Sequence, residues 1–170
     1  SFYRLVPKFA VVVESEAEVV RVLRECARVG APVTFRAAGT SLSGQAVSDS
    51  VLVLLGDGWR GCTPSADGTT IALQPGVIGA AANRRLAPFA RKIGPDPASI
   101  DTAMIGGIAA NNASGMCCGT AQNSYQTLAG LRAVLADGAV VDTRDAGSRA
   151  AFAASHGELL RGLAGLARDT

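Results

Sequence analysis

The chain has 170 residues, 48% of them hydrophobic and 18% charged, a balance that supports a buried core and excludes an intrinsically disordered protein. The net charge is +2 with acidic and basic residues interspersed, so no basic block indicates a nucleic-acid partner, and no apolar run reaches the roughly 18 residues of a membrane span. The four cysteines include no C-x-x-C pair, which argues against a disulfide framework and against the usual zinc and iron–sulfur spacings. A reduced, cytoplasmic setting is therefore expected.

The first third of the chain predicts strands alternating with a helix. Residues 9–13 form a continuous apolar run, which is typical of a strand buried on both faces. Ser15, followed three residues later by Glu18, is a capping-box pattern that begins a helix, and Gly30 ends it. Further strands are predicted at 32–37 and 51–55. The chain thus opens with a strand, a helix and a strand, as in a parallel arrangement.

The remainder mixes further strands and helices. Residues 69–76 predict a strand, and residues 77–90 fit a helix that Gly79 weakens. The stretch 128–143 predicts two strands around Asp137-Gly138, a dipeptide typical of short hairpin turns. The tail predicts one or two helices whose apolar side is formed by Leu159, Leu160, Leu163 and Leu166.

A loop of small residues follows the second predicted strand. The first loop, Arg36–Gly44, reads RAAGTSLSG, and successive backbone N–H groups in such a loop can form an anion-binding concavity. A pyrophosphate is the ligand that such a loop suits best. The phosphate-loop spacing is present, but Gln45 replaces the required lysine, and no G-x-G-x-x-G fingerprint occurs. The alternative is an ordinary polar surface loop.

A longer run of small residues extends from Gly94 to Thr120. This small-residue segment contains no Lys, Arg, Glu or aromatic residue, and its glycines favour tight turns or close approach of the backbone to a ligand. Its adjacent Cys117 and Cys118 allow a strained, reducible disulfide or two small packing residues, and packing is the favoured interpretation. His156, the only histidine, is expected to have a surface or capping role rather than a catalytic one.

These motifs resemble a known flavoprotein family. PVTFRAAGTSLSGQAV is similar to the first pyrophosphate loop of the flavoproteins typified by vanillyl-alcohol oxidase and p-cresol methylhydroxylase. GPDPASIDTAMIGGIAANNASG resembles their second flavin-binding segment, and LAGLRAVLADGAVVDT the strand pair that follows it. The resemblance covers essentially the whole chain. It is greatest for the D-lactate dehydrogenase and glycolate oxidase branch, and NNASGMCCGT resembles large members that carry iron–sulfur modules.

The resemblance implies an α+β, PCMH-type FAD-binding fold with a small parallel α/β subdomain and a mainly antiparallel subdomain. Residues 1–170 would form one FAD-binding domain, divided near residue 60, within a longer protein. Thr40 stands where some relatives attach FAD to a histidine, so the flavin is expected to be non-covalent. Cys118 departs from the tyrosine that many relatives have there. The implied cofactor-binding residues are Arg36, Ala37, Ala38, Gly39, Thr40, Ser41, Leu42, Pro95, Asp96, Ser99, Met104, Ile105, Gly106, Gly107, Asn111, Ser114 and Gly115.

The implied activity is oxidation of a small D-2-hydroxy acid, of the D-lactate or glycolate type, by hydride transfer to FAD. The catalytic residues would lie beyond Thr170, so no catalytic or metal-binding residue is predicted here and the fragment alone should not turn over. An iron–sulfur domain elsewhere in the parent chain and peripheral attachment at the inner membrane are compatible with this resemblance. Two alternatives remain open: a non-catalytic nucleotide-binding or assembly module, and a flavin reductase of the same fold that uses NADPH.

Overall fold

The computed structural model describes residues 3–168 and has the mixed α+β composition expected from the sequence. The strands are β1 (Phe9–Val13), β2 (Val33–Arg36), β3 (Val51–Leu55), β4 (Cys62–Pro64), β5 (Ile71–Leu73), β6 (Arg132–Val134) and β7 (Val140–Asp142). The helices are α1 (Glu16–Arg28), α2 (Gly79–Leu86), α3 (Ile105–Ala110), α4 (Ser124–Thr127), α5 (Ala146–Ser155) and α6 (Gly157–Leu166). Single 3₁₀ turns follow β3 and α2.

A three-stranded parallel sheet forms the first layer. Its order is β1-β3-β2, and Val51 of the central strand is in register with Phe9 on one side and Val33 on the other. The central strand β3 contains three consecutive buried residues, Val51, Leu52 and Val53, and Val53 is 0% exposed. Parallel strands end at one common edge, so the first loop leaves the sheet at the same edge as the ends of β1 and β3.

Helix α1 covers one face of this sheet. Ser15 caps the helix by accepting a hydrogen bond from the Glu18 N–H, as the capping-box pattern predicts. Val19 and Leu23 are buried against Val13, Val51 and Val53. The main core of the protein is therefore the interface between α1 and the central strand, built from β-branched and aliphatic side chains.

The segment after β3 is tied to the end of β1. Gly58 N–H donates to a Glu14 carboxylate oxygen at 2.6 Å, and the Trp59 indole N–H donates to the Val13 carbonyl at 2.9 Å. A Cβ at Gly56 would lie 1.9 Å from a Glu14 carboxylate oxygen, so a side chain there would displace this carboxylate. These contacts hold the carboxyl edge of the sheet in one conformation.

Two antiparallel hairpins follow. In the first, β4 pairs with β5; in the second, β6 pairs with β7 around Gly138, which has a left-handed φ of 80°. The second hairpin, predicted from Asp137-Gly138, packs back on α1, where Arg132 binds the Glu16 carboxylate through two hydrogen bonds of 2.7 and 2.8 Å. The division near residue 60 stays a prediction, since this contact connects the two sides of it.

The tail forms two helices, as the sequence predicts. The four leucines expected on its apolar side are all more than a third exposed, from 39% at Leu160 to 68% at Leu166. None of the helices within residues 3–168 combines the length and the hydrophobicity needed to cross a membrane.

Candidate functional site

The first loop is shaped by a glycine with a left-handed backbone. Gly39 has a φ of 69°, and the Arg36 Nε atom lies 2.6 Å from the position that a Cβ would take there. Any side chain at this position would therefore be strained and would displace the Arg36 guanidinium. The cationic group thus lies against the backbone of the loop, where its positive charge favours an anion.

The backbone of the first loop has unused hydrogen-bond donors. Within the described part of the chain, the N–H groups of residues 38–43 donate to no acceptor. The side chains around them are small, and residues 38, 39 and 41 are only half-buried. A run of unpaired N–H groups beside a guanidinium fits a pyrophosphate, which offers many acceptor oxygens and negative charge.

The loop side chains differ in their availability. The Ser41 hydroxyl donates to the side-chain oxygen of Gln45, a partner that the sequence did not reveal. Ser41 must therefore exchange this acceptor before it can donate to a phosphate. Thr40 is exposed, and Leu42 is 73% exposed, so both project from the loop rather than into the protein core.

The second predicted segment contains a short helix that the sequence did not indicate. A turn after β5 holds the start of α3: Ile105 N–H donates to the Val77 carbonyl at 2.8 Å, and Gly106 N–H donates to the Pro75 carbonyl at 2.9 Å. Met104 forms an isolated antiparallel bridge with Ile78. The N–H groups of Ile105 and Gly106 are therefore already bonded within the protein, although both residues were predicted to contact the cofactor.

Gly107 brings the two predicted segments together. A Cβ at Gly107 would meet only the Ala37 Cβ, at 3.7 Å, which is ordinary van der Waals contact, and the residue is exposed. The protein's own packing therefore does not require glycine here, in contrast to Gly106, whose Cβ would lie 2.8 Å from Pro75. Within the described residues the Gly107 N–H also has no acceptor. Gly107 therefore leaves open space beside Ala37 of the first loop, and this space between the first loop and α3 forms a cradle in which a flat ligand has room.

A second corner of the small-residue segment is closed by backbone contact. A Cβ at Gly115 would lie 1.8 Å from the Asp96 carbonyl oxygen, and one at Gly94 would lie 2.4 Å from Thr127. The Asp96 carboxylate binds Lys92 at 2.9 Å, and this hydrogen bond, with the charge of Asp96, raises the pKa of the Lys92 amine. Lys92 therefore occupies one of the two carboxylate oxygens of Asp96.

The remaining predicted residues differ in their burial and in their hydrogen bonds. The Ser99 carbonyl accepts two backbone N–H groups of the turn that precedes α3, at 2.9 Å from Thr102 and 2.7 Å from Ala103. Pro95 is buried, whereas Asn111 and Ser114 are exposed at the end of α3. The structure thus places Ala37 against Gly107 and Asp96 against Gly115, and it leaves the polar side chains of Asn111 and Ser114 facing solvent.

The two adjacent cysteines are not equivalent. Both thiols are free; Cys117 is exposed and Cys118 is 8% exposed. The Cys118 sulfur contacts the carbonyl oxygens of Gly115 at 3.6 Å and Gly119 at 3.3 Å. The predicted packing role therefore fits Cys118, which is buried, but not Cys117, which is exposed.

His156 has a structural role. It joins α5 to α6, and its Nε2 lies 2.8 Å from an Asp137 carboxylate oxygen in the β6–β7 turn. Its ring stacks on Phe152 at 4.3 Å between centroids. The Ser155 hydroxyl beside its Nδ1 also bonds to carbonyls of α5, so this array holds the tail against the hairpin.

Comparison with known sequences decides the family. Residues 7–144 match the family described as FAD binding domain. The chain belongs to this family. FAD is therefore its cofactor, and the free N–H groups of the first loop and the open face of Gly107 fit its pyrophosphate and its planar groups.

Two curated relatives are oxidoreductases. The glycolate oxidase subunit GlcD of Escherichia coli K12 is 34% identical over 120 residues, which cover 69% of this chain and 24% of the relative. The D-2-hydroxyglutarate dehydrogenase of Pantoea ananatis is 28% identical over 148 residues, which cover 85% of this chain and 14% of the relative. The chain spans about a quarter or less of the length of either protein.

Solved structures show the same fold at low identity. The 6-hydroxy-D-nicotine oxidase of Arthrobacter nicotinovorans superposes with a TM-score of 0.72 at 20% identity, covering 83% of this chain and 31% of that one. The xylooligosaccharide oxidase of Myceliophthora thermophila gives a TM-score of 0.68 at 15% identity, covering 82% and 30%. The predicted α+β, PCMH-type fold is confirmed.

Proposed function

We propose that this chain is the FAD-binding domain of an oxidoreductase that oxidises a D-2-hydroxy acid and holds its flavin non-covalently. The single observation that carries the assignment of FAD to this site is the cradle between the first loop and α3, where the N–H groups of the loop are unpaired and Gly107 has open space beside Ala37. When bound, FAD would supply the redox chemistry by accepting a hydride. The protein would supply binding, orientation and exclusion of water.

The first loop would hold the pyrophosphate. Its donors are the N–H groups of residues 38–43, and the Arg36 guanidinium lies against the same loop. Gly107 would leave room for the cofactor, and the fixed contact between Asp96 and Gly115 would keep the far end of the small-residue segment in place. The residues implied by the family resemblance are proposed as binding residues on this basis.

The substrate class is inferred from the curated relatives. One is named for glycolate and the other for D-2-hydroxyglutarate, and both names denote 2-hydroxy acids. The shared chemical group is a hydroxyl next to a carboxylate. We propose a D-2-hydroxy acid of the D-lactate or glycolate type as substrate of the full-length protein, in a cytoplasmic or peripheral inner-membrane setting, with an iron–sulfur domain as the candidate electron acceptor.

Titration with flavins of different length tests the binding mode. FAD contains the pyrophosphate and riboflavin lacks it, so a site built on the N–H groups of the first loop should bind FAD at least about tenfold more tightly, a difference of ~1.4 kcal/mol. Flavin fluorescence during titration of the purified chain measures both affinities. Equal affinities would contradict the assignment of the first loop, and no binding of either by folded protein would favour the non-catalytic assembly module.

A matched pair of glycine variants locates the pyrophosphate. Gly39 and Gly30 have similar left-handed φ values, 69° and 66°, so an alanine at either position adds similar backbone strain. Only Gly39 lies in the first loop; Gly30 ends α1 and nothing lies within 4 Å of its Cβ position. Gly39→Ala should therefore weaken FAD binding, whereas Gly30→Ala should leave the affinity of the folded protein unchanged.

Two further measurements separate the remaining alternatives. Thr40 offers no ring nitrogen for covalent attachment, so acid denaturation should release all flavin, and mass spectrometry should find no flavin-bound peptide. The full-length protein should reduce its flavin with D-lactate or glycolate. Reduction by NADPH instead would support the flavin reductase.

A further inference from the structure

An exposed thiol and a buried thiol are adjacent at the end of the small-residue segment. Cys117 is open to solvent, while the Cys118 sulfur is enclosed between the carbonyls of Gly115 and Gly119. Within the described residues neither thiol takes part in a group of three or more metal-binding side chains. Packing explains Cys118, but it gives no reason for an exposed cysteine at position 117.

An ion pair lies at the corner that adjoins the two cysteines. The Lys92 amine binds the Asp96 carboxylate at 2.9 Å, and the Asp96 backbone packs against Gly115, three residues before Cys118. Oxidant-sensing cysteines are typically accessible thiols in an electropositive setting, next to a second cysteine that resolves the first oxidation product. Cys117 provides the accessible thiol, and Cys118 provides the adjacent second cysteine.

We propose that Cys117 and Cys118 form a peroxide-sensitive dithiol that reports on the cofactor cradle. Hydrogen peroxide, the oxidant, would convert the Cys117 thiol to a sulfenic acid and release one water. The Cys118 thiol would then attack that sulfur, form the disulfide and release a second water. In sum, two thiols and one peroxide give one disulfide and two waters. A bond between adjacent residues is strained, which makes it readily reducible.

The disulfide would change the corner that holds Asp96. In the disulfide, the Cys118 sulfur no longer carries the proton with which it contacts the carbonyls of Gly115 and Gly119. Gly115 is packed against the Asp96 backbone so closely that a Cβ would lie 1.8 Å from its carbonyl oxygen. This part of the inference rests on the proposed function: oxidation should weaken FAD binding by about fivefold or more, and FAD should shift the dithiol–disulfide equilibrium toward the dithiol by the same factor.

Peptide mass mapping tests the dithiol without reference to flavin. The reduced chain is treated with a small excess of hydrogen peroxide, alkylated and digested. The peptide that contains both cysteines should lose two hydrogen atoms, and dithiothreitol should restore them. Cys62, a half-buried thiol of β4, is the internal control and should remain reduced under the same conditions. A disulfide between two chains, or equal oxidation of Cys62, would overturn the proposal.

Single variants assign the order of the two steps. In Cys118→Ser, oxidation should stop at a Cys117 sulfenic acid that dimedone traps; in Cys117→Ser, the remaining buried thiol should stay unmodified. The wild-type peptide map decides the proposal even if a variant does not fold. FAD titration of the oxidised and reduced wild-type chain then measures the coupling. If the disulfide forms but the oxidised and reduced chains bind FAD with equal affinity, the link to the cradle is overturned. If neither form binds FAD, the proposed function is refuted.

Discussion

The parallel sheet and the small-residue segment are built by opposite means. In the sheet, large β-branched and aliphatic side chains fill the space between β3 and α1, and Val53 is completely buried. In the small-residue segment, backbone approaches backbone where Gly115 meets Asp96, and there is no room for a side chain at that corner. The sheet tolerates little loss of volume, and this corner of the segment tolerates little gain. The first region stabilises the fold; the second shapes a surface for a ligand.

Adding a methyl group to the tightest glycine should have the largest effect. In Gly115→Ala the new Cβ would lie 1.8 Å from the Asp96 carbonyl, so the backbone must move. We expect a loss of about 3 kcal/mol in the free energy of unfolding, the upper end of typical overpacking costs, together with weaker FAD binding. Urea unfolding measures the first effect.

The matched control is Gly162→Ala, in α6, where nothing lies within 4 Å of the Cβ position. This change should stabilise the protein by about 0.5–1 kcal/mol, because alanine is the better helix former. A Gly115→Ala protein as stable as the Gly162→Ala protein would show that the corner at Asp96 is not closely packed.

Removing volume from the sheet should have the next largest effect. Val53→Ala leaves a cavity beside Val13 and Leu23, and we expect a loss of about 2 kcal/mol in the free energy of unfolding. The FAD affinity of the folded fraction should not change, because Val53 faces α1 and not the cradle. Urea unfolding and flavin titration of the same preparation test both statements; a large loss of affinity at unchanged stability would contradict them.

Loss of the Glu16–Arg132 ion pair at low pH should have the smallest effect on the free energy of unfolding. The Arg132 hydrogen bonds lower the pKa of Glu16 below its ordinary 4.5, so the folded state binds this proton less readily than the unfolded state. The pair therefore stabilises the protein fully above about pH 4.5 and loses its contribution as the pH falls through the lowered pKa. Glu16→Gln should remove this part of the pH dependence. The resulting change in the free energy of unfolding should be smaller than the changes expected for Gly115→Ala and Val53→Ala. The free energy of unfolding is measured between pH 3 and 7 for the wild-type and Glu16→Gln proteins. Parallel curves for the two proteins would show that the pair contributes nothing.

The sequence patterns predicted the first region better than the second. Continuous apolar runs identified β1 and β3, and the Ser15 capping box identified the start of α1, because local pattern and burial agree there. Helix α3 was missed because two adjacent glycines disfavour a helix, and the hydrogen bonds from residues 105 and 106 to distant carbonyls stabilise it instead. Strand β4 was missed because only three residues pair.

The candidate site was predicted by motif rather than by geometry. The motifs identify the first loop and the small-residue segment, but they do not show that Ala37 meets Gly107 or that Ser41 bonds to Gln45. Lys92, which binds Asp96, lies outside both motifs. Such partners depend on how distant parts of the chain pack, and one sequence contains no direct record of those contacts.

The affinity of Gly107→Ala for FAD tests the central claim most directly. Its Cβ would meet only Ala37, at 3.7 Å, so the free energy of unfolding should stay within about 0.5 kcal/mol of the wild-type value. The same methyl group would occupy the space assigned to the cofactor. We predict that calorimetric titration will show FAD binding weakened about tenfold or more, at unchanged stability. Wild-type affinity in a folded Gly107→Ala protein would contradict the assignment of this cradle to FAD.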